Sequence, residues 1–309
     1  GVRGARLVNA AGLDLTCLTE RGMALTHLRY RGVPLGYISD VGAVHPAYSE
    51  HAGTGWLRTW PVGFLTPCGL TQIGTPCEDQ GEQLGLHGRA ASIPAREVSW
   101  GTEWDDDNAR IWLQGTIRET AVFGDHLVLT RRIWTWIDSP GFWIEDRIEN
   151  RGYAPSPLMF LQHINLGFPL VSAGSVLELG EHSTAPRTPE AEKGMQDTLT
   201  FSDPIAGYRE QVFYHDLQPD AQGTVRARFT NPGFAGGRGL AVELRYRKDE
   251  YPVLVEWKML GEGMYVVGVE PSNSRLGGRV EEREHGALPS LAPGESRHFG
   301  LEIRFSGLD

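Results

Sequence analysis

Residues 125–150, DHLVLTRRIWTWIDSPGFWIEDRIEN, contain two runs in which apolar and polar side chains alternate. The runs flank the sequence DSPG at 138–141, which is typical of a tight turn, so this segment predicts a β-hairpin. No helical periodicity extends beyond about two turns, so the sequence predicts an all-β protein, a large antiparallel sandwich or barrel. The same hairpin pattern occurs at 224–246, and further short alternating runs occur at 110–117, 253–259, 264–270 and 298–305.

Two long stretches show neither helical periodicity nor strand alternation, and they interrupt the pattern of strands. Residues 54–89 are rich in glycine, proline and threonine, and residues 180–223 are polar and punctuated by proline. Irregular loops of this length are uncommon in a compact β domain and often build binding sites. No low-complexity linker divides the chain, so we expect a single domain over residues 1–309.

Composition argues against several classes of function. The 309 residues are 40% hydrophobic and 22% charged, which is typical of a globular protein with a sizeable core. The net charge of −10 argues against a nucleic-acid partner, because phosphate binding requires a basic surface. No apolar run approaches the roughly 20 residues of a membrane span, and residues 1–4 resemble neither a signal peptide nor a transit sequence. Three cysteines without zinc-ligand spacing fit a reducing compartment, so we expect a cytoplasmic location.

A second kind of segment places polar side chains inside apolar, strand-like runs. In FLQHINLGFPL at 160–170, alternation puts Gln162 on one face of the strand and both His163 and Asn165 on the other. Burying an imidazole alone is costly, so His163 requires a polar partner or a cavity. The runs LGLHGR at 84–89 and YVVGVEP at 265–271 have the same character. Together the three segments supply two histidines, an arginine and a carboxylate, which suit proton transfer on a polar, uncharged substrate.

These segments resemble the aldose 1-epimerase (galactose mutarotase) superfamily, and most of all its bacterial aldose-1-epimerase-like branch. The resemblance lies in GLHGR at 85–89, QHINLGFPL at 162–170 and YVVGVEP at 265–271. It implies a galactose mutarotase-like β-sandwich with a sugar site in a cleft on its concave sheet, a small-molecule carbohydrate substrate, and no cofactor or metal. Shorter matching pieces follow the family order along nearly the whole chain, at 20–23, 55–58, 68–71, 76–79 and 256–263.

Mutarotation opens a cyclic hemiacetal, which requires a base for the proton of the anomeric hydroxyl and an acid for the ring oxygen. The resemblance implies that His163 is the acid and Glu270 the base, and that His87 binds the ring oxygen or a neighbouring hydroxyl. Better-known mutarotases carry an acidic sugar-binding residue whose nearest candidate here is Asp216, and Lys258 would hold an anionic group if it faced the cleft. The full set of candidate substrate-binding residues is His87, Arg58, Arg89, Asn165, Asp216 and Lys258.

Each candidate also has a structural alternative. His163 can be a hydrogen-bonded core residue, and Glu270 can be a strand-end carboxylate that faces water. Arg89 can form a surface ion pair of little energetic weight. Aromatic faces commonly line sugar sites, and we expect Trp56 and Trp60, which lie in an irregular segment, to be the tryptophans nearest the cleft.

Two other functions are compatible with the same residues. The acid–base pair could drive epimerisation, isomerisation or elimination on an oxidised or acidic sugar, or the chain could bind carbohydrate without catalysis. Exposed strand edges also permit edge-to-edge pairing, so the sequence is compatible with a monomer or a homodimer.

Overall fold

The computed structural model describes residues 1–307, which contain mostly β-strands joined by turns and loops. Three short α-helices lie in the connections, at α1 (Pro189–Lys193), α2 (Phe234–Gly237) and α3 (Arg279–Glu284). Single 3-10 turns occur at Pro46–Tyr48, Gly55–Arg58, Ala90–Ser92 and Met195–Asp197. Within residues 1–307, no helix combines the length and the apolar character that crossing a bilayer requires.

The strands, in chain order, are β1 (Ala5–Val8), β2 (Leu13–Leu18), β3 (Ala24–Tyr30), β4 (Val33–Pro34), β5 (Tyr37–Ile38), β6 (Val62–Gly63), β7 (Leu65–Leu70), β8 (Cys77–Asp79), β9 (Glu82–Leu84), β10 (Arg96–Asp105), β11 (Asn108–Thr120), β12 (His126–Trp136), β13 (Gly141–Asn150), β14 (Ser156–Pro157), β15 (Met159–Gly167), β16 (Val176–Leu179), β17 (His182–Pro186), β18 (Gln211–Leu217), β19 (Thr224–Asn231), β20 (Leu240–Arg247), β21 (Val253–Gly261), β22 (Met264–Ser272), β23 (Ser290–Leu291) and β24 (Ser296–Ser306).

Two large antiparallel sheets form the fold. The ten-stranded sheet has the order β1-β2-β3-β7-β15-β22-β21-β18-β17, with β4 beside β3, and the eight-stranded sheet has the order β10-β11-β12-β13-β24-β20-β19-β16. Apolar side chains from both sheets, including Phe64, Phe160, Ile133 and Phe299, share one hydrophobic core. The predicted all-β antiparallel sandwich is therefore confirmed.

The hairpin predicted at 125–150 forms as β12 and β13, whose register pairs Trp134 with Trp143. By contrast, β7 lies within the stretch at 54–89 for which no strand was predicted. All six of its residues are buried, because a central strand covered on both faces has no solvent-facing side chains to alternate with the apolar ones. Its composition, Leu-Thr-Pro-Cys-Gly-Leu, also includes proline and glycine, which are depleted in strands.

A buried polar cluster between the two sheets joins Arg131 and Asp146 of the eight-stranded sheet to Gln162 on the inner face of the ten-stranded sheet. Arg131 donates two hydrogen bonds to Asp146, at 2.8 and 2.6 Å, and a third to Oε1 of Gln162 at 2.8 Å. The amide nitrogen of Gln162 donates in turn to Asp146 and to the hydroxyl of Tyr251. Because Gln162 points into this core, its neighbours His163 and Ile164 alternate in direction along β15, and His163 lies on the outer face.

Candidate active site

Two central strands of the ten-stranded sheet, β15 and β22, bring His163 and Glu270 together. The register of these strands pairs Leu161 with Ser272 and Asn165 with Gly268, which sets His163 directly opposite Glu270. The Nδ1 atom of His163 is 3.1 Å from Oε1 of Glu270, and their side chains are 5% and 1% exposed. Residues 107 positions apart in the chain (270 − 163) are thus cross-strand neighbours on one face.

The pair lies at the base of a cavity of about 150 Å³ on the outer face of the sheet. The ring of Trp60 is 4.8 Å from the imidazole of His163, and the ring of Trp257 meets that imidazole edge-on at 5.6 Å. Trp56 stacks on Trp60 with ring centroids 4.3 Å apart. Trp56 and Trp60, expected nearest the cleft, therefore line it. The cavity-lining residues are Trp56, Leu57, Trp60, Leu86, His87, His163, Arg187, Glu210, Val212, Trp257, Glu270 and Leu276.

His87 reaches the cavity from a tight turn in the segment GLHGR. Its ring is 5.4 Å from that of His163, and its backbone has a φ of +56°. The flanking glycines permit this turn, because a Cβ at Gly85 would lie 2.0 Å from the carbonyl oxygen of His51 and one at Gly88 would lie 2.3 Å from that of Gln72. The two glycines that made this motif recognisable are thus required for the close packing that places His87.

A third glycine makes room for the carboxylate. A Cβ at Gly268 would lie 2.1 Å from Oε1 of Glu270 and 3.0 Å from the Cβ of Trp257. The residue two positions before Glu270 on the same face of β22 must therefore lack a side chain if the carboxylate is to stay beside His163.

Burial disfavours charge on each member of the site. Burial lowers the pKa of His163 well below its usual value, and the nearby His87 lowers it further. Burial, reinforced by Arg187, lowers the pKa of His87 to about 3. Burial also raises the pKa of Glu270 well above its usual value, although the positive charge of Arg187 acts in the opposite direction. The site therefore favours neutral imidazoles and the protonated form of the Glu270 carboxyl group.

The polar atoms of the pair lack hydrogen-bond partners. His163 Nδ1 and Glu270 Oε1 are close, but their relative orientation does not form a hydrogen bond, and both atoms are buried without any partner within the described residues. The indole nitrogen of Trp56 is in the same state. Buried polar atoms are normally satisfied in proteins, so three unsatisfied atoms around one cavity indicate a place for a polar ligand.

Two predicted arginine contacts lie outside this cavity. The side chain of Arg58 is 74% exposed and lies 3.4 Å from the carboxylate of Glu50, because it occupies the solvent side of the 3-10 turn whose inner side carries Trp56. Arg89 is directed to Glu82 at 3.2 Å and to Glu119 at 3.7 Å, so it forms ion pairs beside the turn that holds His87.

Asn165 and Asp216 also lie elsewhere. Asn165 is fully buried and donates to the carbonyl oxygens of Gly63 and His163, at 3.1 and 3.0 Å, so it fixes the backbone next to the site. Asp216 accepts a 2.5 Å bond from Lys248 at the exposed edge of the sheet.

Lys258 was expected to hold an anionic group if it faced the cleft, but the strand register places it on the other face of the sheet. Because β21 pairs Val255 with Glu270 and Trp257 with Gly268, Trp257 shares the outer face with Glu270. Lys258 consequently points to the inner side, where its ammonium group donates to the carbonyl oxygens of Asp197 and Thr200. It lines a separate cavity of about 470 Å³.

Sequence analysis missed Arg187, Glu210 and Trp257 as cavity residues. Arg187 and Glu210 lie in the stretch at 180–223, where no periodicity indicated a strand or a direction for any side chain. Trp257 precedes Lys258 and therefore lies on the opposite face of its strand, but only the pairing of β21 with β22 shows which face borders the cavity.

Larger cavities lie elsewhere on the molecule. The one of about 540 Å³ is lined by Asp79, Arg279 and Arg283, whose charged groups pair with one another at 2.7 Å. Because these charges satisfy each other, that cavity lacks the unpartnered buried groups found beside His163.

Comparison with known proteins places this architecture in a family. A family model described as "Domain of unknown function (DUF4432)" matches residues 1–305. The chain belongs to the DUF4432 family. No curated protein matches the chain in sequence at a significant level.

Solved structures add the relationship that the sequence motifs suggested. A Klebsiella pneumoniae protein named "putative aldose 1-epimerase" aligns with a TM-score of 0.89 and 25% identity, covering 96% of this chain and 77% of that one. A galactose mutarotase-like protein from Clostridium acetobutylicum aligns with a TM-score of 0.65 and 14% identity, over 100% and 99% of the two chains. The GalM/aldose epimerase homologue of C. elegans aligns with a TM-score of 0.59 and 14% identity, over the full length of both chains. The predicted resemblance of this DUF4432 protein to the aldose 1-epimerase superfamily is confirmed.

Proposed function

We propose that this protein is an aldose 1-epimerase that interconverts the anomers of a monosaccharide. The observation that carries the proposal is the 3.1 Å approach of His163 Nδ1 to Glu270 Oε1 in a tryptophan-lined cavity, with both atoms free of hydrogen bonds. The name of the Klebsiella pneumoniae protein, which shares the fold at 25% identity, supports the same class of reaction.

The protonation of the pair supports acid–base catalysis. Burial favours a state in which the pair holds one proton, on the carboxyl group of Glu270, while His163 is neutral. Transfer of this proton to His163 would yield a carboxylate and an imidazolium without changing the total charge of the cavity. Glu270 could then take the proton of the anomeric hydroxyl while His163 protonates the ring oxygen. After rotation about the C1–C2 bond, the same two groups reverse their roles as the ring closes.

The walls of the cavity suit a single sugar ring. The faces of Trp56, Trp60 and Trp257 can pack against the C–H groups of a pyranose, while His87 offers a neutral imidazole for a hydroxyl or ring oxygen. The volume of about 150 Å³ is below the roughly 300–1,000 Å³ of typical drug-sized sites, which favours a monosaccharide over an oligosaccharide.

Anomeric exchange measured by NMR on freshly dissolved aldoses tests the proposal. We expect the protein to accelerate the approach to anomeric equilibrium, and Glu270→Gln and His163→Asn each to lower kcat by about 10²–10⁴-fold, because each removes a proton-transfer group. The matched control is Glu97→Gln, which changes a carboxylate paired with Arg118 on β10 of the other sheet.

Two results would contradict the proposal. Saturable sugar binding without faster anomeric exchange would indicate a binding protein. New carbon-bound stereochemistry or an unsaturated product would instead indicate epimerisation or elimination by the same pair.

A further inference from the structure

Building on the proposed function, we propose that the substrate is an aldose that carries a carboxylate, and that Arg187 is the residue that selects it. The inference concerns the chemical class of the substrate in the cavity already described. It rests on the position and the missing partner of one guanidinium group.

Arg187 is held rigidly at the cavity wall. Its backbone nitrogen donates to the carbonyl oxygen of Val212 at 2.9 Å, directly after β17. Its Nη2 atom donates to Oγ1 of Thr75 at 2.6 Å and to the carbonyl oxygen of Leu276 at 3.1 Å. The guanidinium plane is therefore fixed before any ligand arrives, which reduces the entropy lost on binding.

The remaining donors of Arg187 have no protein acceptor. Among residues 1–307, neither Nε nor Nη1 forms a hydrogen bond, and no carboxylate oxygen lies within 4.0 Å of the guanidinium. Two other buried arginines of this chain differ: Arg131 pairs with Asp146 at 2.6 Å and Arg279 with Asp79 at 2.7 Å. Arg21, which lines no cavity described above, donates instead to the hydroxyl of Ser49 and the carbonyl oxygen of Thr59. A half-buried guanidinium that faces a cavity without a counter-ion is suited to an anionic ligand.

The other charged groups considered for the cavity are less suited to an anionic ligand than Arg187 is. Burial raises the pKa of Glu270 and so disfavours a negative charge on its carboxyl group. Glu210 is exposed to solvent and accepts a 2.9 Å bond from the indole nitrogen of Trp257. Lys258, which sequence analysis considered for an anionic group, lies on the other side of the sheet. Arg187 is the one cationic side chain among the cavity-lining residues that the structure describes.

A carboxylate matches this donor arrangement. Two parallel N–H groups of a guanidinium bind the two oxygens of a carboxylate in one plane. In the pyranose form of a hexuronic acid, the hemiacetal carbon C1 and the carbon C5 that carries the C6 carboxylate are both bonded to the ring oxygen. Arg187 could hold the carboxylate while His163 and Glu270 act on the hemiacetal.

The test compares two uronates, D-glucuronate and D-galacturonate, with the matched neutral aldoses glucose and galactose. Anomeric exchange by NMR gives kcat and KM for each sugar, and calorimetry gives the affinity. We expect kcat/KM for the better uronate to exceed that of its neutral counterpart by about tenfold or more, as a charge-assisted hydrogen bond provides. Arg187→Gln should remove this preference by raising KM for the uronate by a much larger factor than KM for the neutral sugar.

Three further variants separate selection from support of the fold. Arg187→Lys keeps the charge and should retain part of the preference, and Thr75→Val removes a partner of Arg187 without removing the charge and should retain most of it. Arg118→Gln, on the other sheet, should leave the ratio of uronate to neutral sugar unchanged. If Arg187→Gln fails to fold, the wild-type ratio decides.

Equal kcat/KM for uronates and neutral aldoses, or an equal loss for both classes in Arg187→Gln, would overturn the inference while leaving the proposed function intact. If no sugar undergoes faster exchange, the proposed function fails. The inference then depends on binding alone: a wild-type affinity for uronate that exceeds that for the neutral sugar and is lost in Arg187→Gln supports it, and equal affinities overturn it.

Discussion

The two sides of the ten-stranded sheet differ in how the buried carboxyl groups there are paired, although Nη1 of Arg131 on the inner side also lacks a partner. On the inner side, both carboxylate oxygens of Asp146 accept hydrogen bonds from Arg131, and Gln162 donates to Asp146 and Tyr251. On the outer face, one residue further along β15, the Nδ1 of His163 and the Oε1 of Glu270 have no partner. The inner cluster is built for stability, and the outer pair is left open for a ligand at a cost in stability.

Breaking the inner cluster should have the largest effect. Asp146→Ala would leave the guanidinium of Arg131, which is 0% exposed, without its counter-ion. We expect the free energy of unfolding to fall by about 3–5 kcal/mol, as for other buried pairs that lose one partner. Urea denaturation monitored by tryptophan fluorescence measures this change. A loss below about 1 kcal/mol would mean that water or a shifted side chain replaces the carboxylate.

The acid stability of the protein should depend on His87. The pKa of His87 falls from 6.5 in the unfolded chain to about 3 in the folded one, so the unfolded chain takes up the proton first as the pH falls. Folded wild-type protein should therefore lose roughly 1.4 kcal/mol per pH unit between about pH 6.5 and 3 from this residue. His87→Asn, which tolerates the positive φ, should lose roughly 2–3 kcal/mol less than wild type between pH 7 and 4.5. Denaturation curves at a series of pH values test this, and parallel pH profiles for the two proteins would refute it.

Adding a methyl group at Gly268 should lower the free energy of unfolding by a smaller amount. A Cβ there would meet the carboxylate of Glu270 at 2.1 Å, so Gly268→Ala should displace that group and cost about 1–3 kcal/mol through overpacking. Anomeric exchange should fall at the same time, because the carboxylate leaves His163. The matched control is Gly300→Ala on β24, where the nearest atom would be a comfortable 3.6 Å away. Equal effects of the two substitutions would show that any alanine in these strands is harmful.

The last change, Glu270→Gln, should raise stability instead of lowering it. Because the pKa of Glu270 is raised in the folded protein, wild-type stability from this group is lost as the pH rises above about 4.5, the unfolded value. The variant has no such titration, so it should be at least as stable as wild type at pH 5 and gain on it at pH 8. Thermal unfolding of both proteins at the two pH values measures the difference. If the variant were less stable than wild type at pH 8, Glu270 would be a carboxylate that stabilises the fold.

The sequence predicted the positions of the strands better than it predicted the geometry of the site. Alternation in β12 and β13 predicted their hairpin, because one face of each is buried and the other is not. It missed β7, which is buried on both faces. The pairing of His163 with Glu270 was expected from resemblance alone, since no local pattern states which distant strands are neighbours.

Side-chain direction explains the remaining differences. Alternation separated Trp257 from Lys258 correctly but could not tell which of them faced the cavity until the register with Glu270 was known. The resemblance made Arg58 and Arg89 candidates for contacts to the sugar, yet each arginine turns to a nearby carboxylate instead. Arg187 follows a strand inside an aperiodic stretch, where the sequence offered no direction at all.

The central position of β15 and β22 has a consequence for how this family can diversify. Both strands have hydrogen-bonded neighbours on either side, so their amides should exchange with solvent only when the whole sheet opens. Trp56, Arg187 and Leu276, by contrast, come from connections at the rim. Insertions or substitutions in these connections can reshape what enters the cavity while the reacting centre keeps its geometry, which allows ligand preference to evolve separately from chemistry.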